Sequence, residues 1–207
     1  MPLFRDYSNK NILFIHIPKT GGASIETWLS QYFTMSLHTI EVPAPLKITP
    51  QHLQYSDLKL ILGKIWDYAF AIVRNPYERI ISEYFYLTQW TYNKFEDRPD
   101  FSMWVIESLN KTKHDPFYLD NHLRPQYQFV DQEVEIFKFE IGIDTIIKVL
   151  SKKFEIKTSY NIPKKNVSKK EKIEFSLEAI EMVNEFYKKD FELFGYKMNH
   201  KTLKLYD

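Results

Sequence analysis

The stretch of sequence that most constrains the fold is a short apolar run that leads directly into a pair of glycines. Residues 11–17, NILFIHI, are apolar and rich in β-branched side chains, a pattern typical of a buried strand in a parallel sheet. Beyond Gly21 and Gly22 the apolar residues recur at helical spacing. The sequence therefore predicts a strand, a tight loop and a helix that begins near Gly22. The apolar face of that helix consists of Ile25, Trp28, Leu29, Tyr32 and Phe33.

A second strand and helix of the same kind follow in the middle of the chain. Residues 68–74, YAFAIVR, form another apolar run, and Asn75 and Pro76 mark its end. Asparagine is a favoured helix N-cap and proline suits the first helical turn. The sequence thus predicts a long helix that continues well past residue 85. Its apolar positions are Ile80, Ile81, Tyr84, Phe85 and Leu87.

The remaining segments continue the alternation of strands and helices. This alternation predicts an α/β fold with a central, mainly parallel sheet flanked by helices. Because no linker rich in Gly, Ser or Pro divides the 207 residues, we expect a single domain over residues 1–207. The other predicted elements are an extended segment near 36–41, helices over 54–62, 99–110 and 143–153, an irregular loop over 114–127, a strand over 135–140, and a helix from Leu177 to Tyr187 followed by the packed segment 190–196.

Composition excludes several classes of function. The net charge of +1 lacks the basic field of a nucleic-acid-binding protein, so we expect no nucleic-acid partner. The chain has no cysteine and therefore no disulfide or thiolate nucleophile. It has neither a run of about 18 to 20 apolar residues, as a membrane helix requires, nor an apolar signal-peptide core. We expect a cytoplasmic protein without stable membrane insertion.

The glycine pair and its neighbours predict a binding site for an anion. Backbone N–H groups converge at a helix N-terminus and the helix dipole adds positive potential there. Lys19 supplies a full charge, and Thr20 and Ser24 supply hydroxyl and backbone donors. Glycine also permits positive φ and close approach of a ligand. Taken alone, these residues fit a purely structural strand-to-helix turn equally well.

The order of residues argues against a metal-assisted nucleotide loop. Loops that bind ATP with Mg²⁺ have the pattern G-x-x-x-x-G-K-[ST], whereas Lys19 precedes the glycines. The strand over 68–74 ends in Arg74 and not in an aspartate that would help hold a metal. Arginine binds phosphate directly, often through two parallel hydrogen bonds. We therefore expect a phosphate ligand held without a metal ion.

Two motifs together resemble the sulfotransferases that use 3′-phosphoadenosine 5′-phosphosulfate (PAPS). IPKTGGAS, residues 17–24, is similar to their 5′-phosphosulfate loop, and AIVRNPYERIISEYFY, 71–86, to their 3′-phosphate segment. The segments NHLRPQYQF, FKFE, NVSKK and DFELFGY follow in the expected order. The resemblance is greatest to the branch with heparan sulfate 2-O- and chondroitin or dermatan sulfotransferases and small bacterial relatives.

The resemblance implies a fold, a donor and a set of binding residues. The fold would be a three-layer arrangement like that of P-loop NTPases, with PAPS as donor, adenosine 3′,5′-bisphosphate as product and no metal required. Arg74 and Ser82 would bind the 3′-phosphate, and Ser168 and Lys169 would close a basic loop over it; a solvated lysine face explains that loop nearly as well. The residues assigned to the 5′-phosphosulfate are Lys19, Thr20, Gly21, Gly22, Ala23 and Ser24.

The implied chemistry is in-line transfer of a sulfuryl group to an acceptor hydroxyl, which we expect to belong to a saccharide. Lys19 would stabilise the charge on the leaving oxygen, and a base would take the acceptor proton. His52 is the first candidate for that base because it matches a histidine of this branch and imidazole titrates near neutral pH. A helix-capping histidine is the structural alternative for His52, and His122 is the rival base. His16 is expected to be structural.

Two other functions remain open at this point. A nucleotide kinase on the same core would require ATP and Mg²⁺, and the missing G-K-[ST] counts against it. A non-catalytic module that binds nucleotides or polyanions would keep the loop without the chemistry, although Lys19 and the candidate bases disfavour it. Neither the regiochemistry of transfer nor the oligomeric state follows from these motifs.

Overall fold

The computed structural model describes residues 1–39, 41–156 and 171–205. The chain divides into two compact units. The first comprises Met1–Arg74 and Gln128–Lys165, and the second comprises Asn75–Tyr127 and Asn166–Asp207. Each unit is therefore built from two separate stretches of the chain.

Seven strands and seven α-helices lie within the described residues. The strands are β1 (Leu3–Arg5), β2 (Asn11–Ile15), β3 (Thr34–Ser36), β4 (Tyr68–Val73), β5 (Glu135–Lys138), β6 (Ile173–Phe175) and β7 (Leu203–Leu205). The helices are α1 (Gly22–Leu29), α2 (Tyr55–Leu62), α3 (Pro76–Thr91), α4 (Phe101–His114), α5 (Ile143–Lys153), α6 (Leu177–Phe186) and α7 (Lys188–Phe194).

The first unit contains a five-stranded sheet in the order β3-β1-β2-β4-β5. β2 pairs with β4 in parallel, with Phe14 opposite Phe70, and β4 pairs with β5 in parallel. β1 pairs antiparallel with both β2 and β3. The predicted α/β fold with parallel central strands is thus confirmed, and the antiparallel side of the sheet is an addition to it.

The core of this unit lies between one face of the sheet and two helices. Phe14 stacks on Phe70 with ring centroids 4.9 Å apart, and both rings are fully buried. The alternation of side chains along each strand directs these residues to the same face. The partners from the helices are Ile25, Trp28 and Leu29 of α1 and Ile146, Ile147 and Leu150 of α5.

The structure shifts two predicted boundaries in this unit. α1 ends at Leu29 although its apolar pattern continues, and the N–H of Phe33 still donates to the Leu29 carbonyl. The chain leaves the helix here because β3 begins at Thr34 and pairs with β1. The extended segment expected near 36–41 therefore lies earlier in the chain. Ile40 is outside the described residues.

The second unit is mainly helical and has its own core. Tyr77, Ile80, Tyr84 and Phe85 of α3 pack with residues of α4, β6, α6 and α7. Asn75 caps α3, since its side chain accepts a hydrogen bond of 3.0 Å from the N–H of Tyr77. β6 and β7 form a separate antiparallel pair that the sequence analysis does not predict. Three-residue strands are too short to show a period.

Among the described residues, none of the helices combines the length and the apolar character that crossing a bilayer requires.

The short strand β1 provides a test of the core. Phe4 is fully buried in the sheet-and-helix core of the first unit, so Phe4→Ala should lower the free energy of unfolding by about 3–5 kcal/mol. Urea denaturation followed by circular dichroism would measure the loss. Tyr7→Ala is the control, because Tyr7 is 91% exposed and should change stability by no more than about 0.5 kcal/mol. A loss at Phe4 as small as that of the control would contradict this packing.

Candidate functional site

The loop between β2 and α1 has a defined backbone conformation. Lys19 has a φ of 67° and Gly21 a φ of 88°, so the chain turns through the left-handed region twice within three residues. The hydroxyl of Thr20 donates to the carbonyl of Ile17 at 2.8 Å, and Thr20 is fully buried. The hydroxyl proton of Thr20 is therefore used to brace the loop, which leaves its backbone N–H as the predicted phosphate donor.

The two glycines are required for different reasons. Gly21 has the left-handed φ, and a Cβ there would lie 2.8 Å from Cδ1 of Ile143. At Gly22 a Cβ would lie 2.7 Å from Nε2 of His16. Real Cβ atoms do not approach neighbours this closely, so a side chain at either position would displace the loop or its supports. The absence of side chains also lets a ligand approach the backbone.

The start of α1 is suited to an anion. Gly21 is the N-cap and has no side chain to occupy the first N–H groups. Ala23 is exposed and Ser24 is half-buried, and the N–H of Ser24 donates to the Gly21 carbonyl at 3.1 Å. The dipole of the helix adds positive potential at this end.

Arg74 lies beside this loop, as the sequence predicts from the two strand ends. β2 and β4 are parallel neighbours, so the residues that follow them meet at one edge of the sheet. Nη1 of Arg74 donates to the carbonyl of Lys19 at 3.2 Å. The guanidinium also lies over the ring of Phe139, 4.6 Å from its centroid. These contacts orient a half-buried cation next to the helix N-terminus.

A buried acid–histidine pair lies directly beneath the loop. Nδ1 of His16 and Oε1 of Glu26 form a hydrogen bond, and the residues are 8% and 7% exposed. The side-chain amide of Gln51 lies 2.9 Å from the same His16 nitrogen and 3.4 Å from Oε1 of Glu26. Nε2 of His38 lies 3.5 Å from Oε2 of Glu26. Glu26 therefore has partners on both of its oxygens.

The pKa of Glu26 reflects this environment. Burial raises the pKa of the carboxyl, but the charge and hydrogen bond of His16, the charge of His38 and the hydrogen bond of Gln51 together outweigh that effect. The pKa is therefore lowered from its ordinary value of 4.5. The side chain is a carboxylate at neutral pH, and Nδ1 of His16 is the donor in their hydrogen bond.

His52 belongs to the same unit and contacts this pair. It ends a short 3₁₀ turn, Pro50–His52, and its Nδ1 lies 3.2 Å from the hydroxyl of Thr49. Its ring meets that of His16 edge to face, with centroids 5.4 Å apart. His52, the first candidate base, is thus connected to the loop between β2 and α1 through His16.

The other two predicted residues that the structure describes, Ser82 and His122, belong to the second unit. Ser82 is half-buried on α3. Nδ1 of His122 lies 2.8 Å from both oxygens of Glu83, which is fully buried. The ring of His122 stacks on Tyr86 with a centroid distance of 6.0 Å. A carboxylate at Nδ1 assigns the proton to that nitrogen, so Nε2 carries the lone pair that a base needs.

The sequence analysis misses the residues that support the predicted ones. Glu83 and Phe139 lie within segments that carry the resemblance, residues 71–86 and FKFE, but no role is predicted for them, and Glu26 lies outside those segments. A signal exists for Glu83, because it is an acid within the mainly apolar stretch Ile80–Phe85 of α3, four residues after Arg79. Ser168 and Lys169, the predicted basic loop, lie outside the described residues.

The comparison with known protein families decides the family. A sequence model described as the sulfotransferase family matches residues 3–197. The chain belongs to this family. No curated protein and no solved structure matches this sulfotransferase. The matched residues cover nearly the whole chain, including both the glycine loop and Arg74.

The residues of this sulfotransferase fit a phosphate or sulfate group in the first unit. The donor set consists of the Lys19 ammonium, the oriented guanidinium of Arg74 and the first N–H groups of α1, and all of these are cationic or donate hydrogen bonds. Two glycines keep the backbone open to a ligand.

The buried carboxylate of Glu26 predicts a pH-dependent stability. Because the folded-state pKa of Glu26 is lowered, its carboxylate stabilises the fold above about pH 4.5, and this contribution is lost as the pH falls through the folded-state pKa. We expect Glu26→Gln to lower the free energy of unfolding at neutral pH and the difference from the unmodified protein to shrink in acid. Urea titrations across this range would measure it.

Glu41→Gln is the matched control for Glu26→Gln, because Glu41 is an exposed acid of the same unit. It should leave stability unchanged at both ends of the pH range. A deficit for Glu26→Gln that stays constant from neutral to acid pH would contradict an ionised Glu26 with a lowered pKa.

Proposed function

We propose that this sulfotransferase uses PAPS to sulfate a hydroxyl group of a saccharide, without a metal ion. The observation that carries the proposal is the pairing of the Lys19 loop with Arg74 at adjacent parallel strand ends. When bound, PAPS supplies the sulfuryl group and the bisphosphate leaving group. The proposed cytoplasmic location and single domain over residues 1–207 follow the sequence analysis.

The first unit would bind the donor. The N–H groups from Thr20 to Ala23 and the hydroxyl of Ser24 would hold the 5′-phosphosulfate end, with the helix dipole adding to their attraction. The ammonium of Lys19 would stabilise the negative charge that develops on the leaving oxygen. Arg74, held over Phe139, would bind the 3′-phosphate through its guanidinium. Ser82, Ser168 and Lys169 keep their predicted roles at that phosphate.

A histidine would accept the proton of the acceptor hydroxyl, and two remain as candidates. His122 has the stronger support for a base, because the buried carboxylate of Glu83 holds its proton at Nδ1. His52 has a hydroxyl partner at Nδ1 and the contact with His16. General bases of this kind contribute about 10²–10⁴-fold to a rate. The saccharide acceptor is proposed from the family branch alone.

The donor site is tested by calorimetric titration with adenosine 3′,5′-bisphosphate and with ADP, each with and without Mg²⁺. These ligands differ chiefly in the position of the second phosphate. We expect tighter binding of the 3′,5′-bisphosphate and no gain from Mg²⁺. Arg74→Ala should weaken binding by about 1.5–3 kcal/mol, and Lys19→Ala should abolish sulfuryl transfer without unfolding the protein.

Exposed residues of the same charge serve as controls for these variants. Arg5→Ala and Lys10→Ala remove exposed cations from the same unit, so both should retain affinity and activity. Preference for ADP with Mg²⁺ would reject the PAPS site in favour of a kinase. Binding of neither nucleotide would reject both enzymes in favour of a non-catalytic module whose nucleotide site no longer functions.

The base is tested by His52→Asn and His122→Asn in parallel. Transfer of labelled sulfuryl from PAPS to a panel of oligosaccharides and simple alcohols would identify an acceptor and measure turnover. The variant that lacks the base should lose about 10²–10⁴-fold in kcat while its affinity for adenosine 3′,5′-bisphosphate is unchanged.

His114→Asn, which changes an exposed histidine, is the control for handling and expression. Full turnover in both site variants would exclude both histidines as the base. Transfer to simple alcohols with no transfer to oligosaccharides would reject the saccharide acceptor.

A further inference from the structure

The pair formed by His16 and Glu26 joins the two ends of the phosphate loop. His16 directly follows β2, and Glu26 lies just beyond the first turn of α1. Their hydrogen bond therefore closes the loop across its base. The tip of the His16 ring, at Nε2, also faces Gly22, where a Cβ would come within 2.7 Å of it. A single buried ring thus contacts both the carboxylate and the first residue of the helix.

The charge of Glu26 makes this arrangement unusual for an anion site. A carboxylate in the first turns of the helix, beneath the predicted phosphate groups, would repel them unless a neighbouring donor compensates its charge. Burial would strengthen that repulsion, because little water and few ions reach a buried charge to screen it. The residues that face Glu26 are His16, His38 and Gln51. His16 is the buried one of the two histidines, whereas the side chain of His38 is 29% exposed and 3.5 Å away.

We propose that His16 and Glu26 are a positioning pair for the donor loop, in which the hydrogen bond from His16 compensates the buried carboxylate and both side chains hold the loop ends together. The proposal rests on the proposed PAPS site and adds to it two residues outside the segment 17–24, to which the resemblance assigns the 5′-phosphosulfate. Gln51 hydrogen bonds with the pair and immediately precedes His52. The pair thereby ties the donor loop to the turn that carries one candidate base.

A buried charge beneath the anion predicts a pattern of bisphosphate affinities among variants that packing alone does not. Removing His16 alone leaves a buried, uncompensated carboxylate under the anion. Removing both groups leaves no charge there. His16→Asn should therefore weaken binding of the bisphosphate more than the double variant His16→Asn, Glu26→Gln. If only packing or the shared hydrogen bond were lost, the double variant would bind no more tightly than His16→Asn, so recovery of affinity in the double variant distinguishes a charge effect.

The experiment is a double-mutant cycle on the full chain with adenosine 3′,5′-bisphosphate as the probe. We expect His16→Asn to raise Kd by about tenfold or more and the double variant to recover most of that loss. Glu26→Gln alone should change Kd by less than about threefold, since it removes a repulsive charge as well as a hydrogen bond. His38→Asn is the matched control, with little change expected. Thermal unfolding of each variant would establish that it is folded at the titration temperature.

Three outcomes would overturn the proposal. In the first, the Kd of His16→Asn for the bisphosphate lies within about twofold of that of the unmodified protein. In the second, the double variant binds the bisphosphate more weakly than either single variant. The third is unfolding of both His16→Asn and the double variant, which would make the pair purely structural. If only the single variant unfolds and the double variant folds and binds, the role of His16 in compensating the buried carboxylate is supported.

The cycle also separates this proposal from the proposed function. If the unmodified protein prefers ADP, the PAPS site is rejected, and the same cycle with ADP still tests the pair. If it binds neither nucleotide, inorganic pyrophosphate is the probe, because it requires only an anion-binding loop. Failure to bind pyrophosphate would overturn both proposals.

Discussion

The parallel pairing of β2 with β4 is the interaction on which the site depends. It brings the glycine loop and Arg74 to one edge of the sheet although about 55 residues separate Lys19 from Arg74. The hydrogen bond from the guanidinium to the Lys19 carbonyl then joins the two segments. Without that register, a lysine, an arginine and a helix N-terminus would be three unrelated features. With it, they form one concentration of positive potential.

The centre of the first unit was predictable because its strands β2 and β4 are long enough to show their burial in sequence. Both are nearly continuous apolar runs, and the helix after β2 repeats at 3.6 residues. The three-residue strands β1 and β3 carry no such period, and tertiary pairing alone determines them. The apolar helical pattern continues through Phe33, but α1 ends at Leu29 because the following residues pair with β1 as β3.

The candidate site was predictable only where a residue acts through its own charge or conformation. Lys19, Gly21 and Arg74 are recognisable on those grounds. Glu26 and Glu83 act through histidines that lie 10 and 39 residues away in sequence, and Phe139 acts through the face of its ring. The local sequence does not distinguish Glu26 from an ordinary surface acid or Phe139 from an ordinary core aromatic, because their roles depend on contacts that only the fold creates. The Gly-Gly sequence likewise does not reveal that the two glycines are needed for different reasons, the positive φ of Gly21 and the close approach of His16 to Gly22.

The aromatic ring beneath Arg74 bears on the order in which the chain folds. Phe139 directly follows β5, whose Lys138 pairs with Val73 across a long stretch of chain. Closing so large a loop costs entropy before any contact repays it, so distant pairings of this kind form slowly. A ribosome completes the glycine loop and the arginine well before it reaches the phenylalanine. The guanidinium of Arg74 therefore gains its stacking partner only after the edge strand β5 has docked, so the orientation of this side chain is completed late in folding.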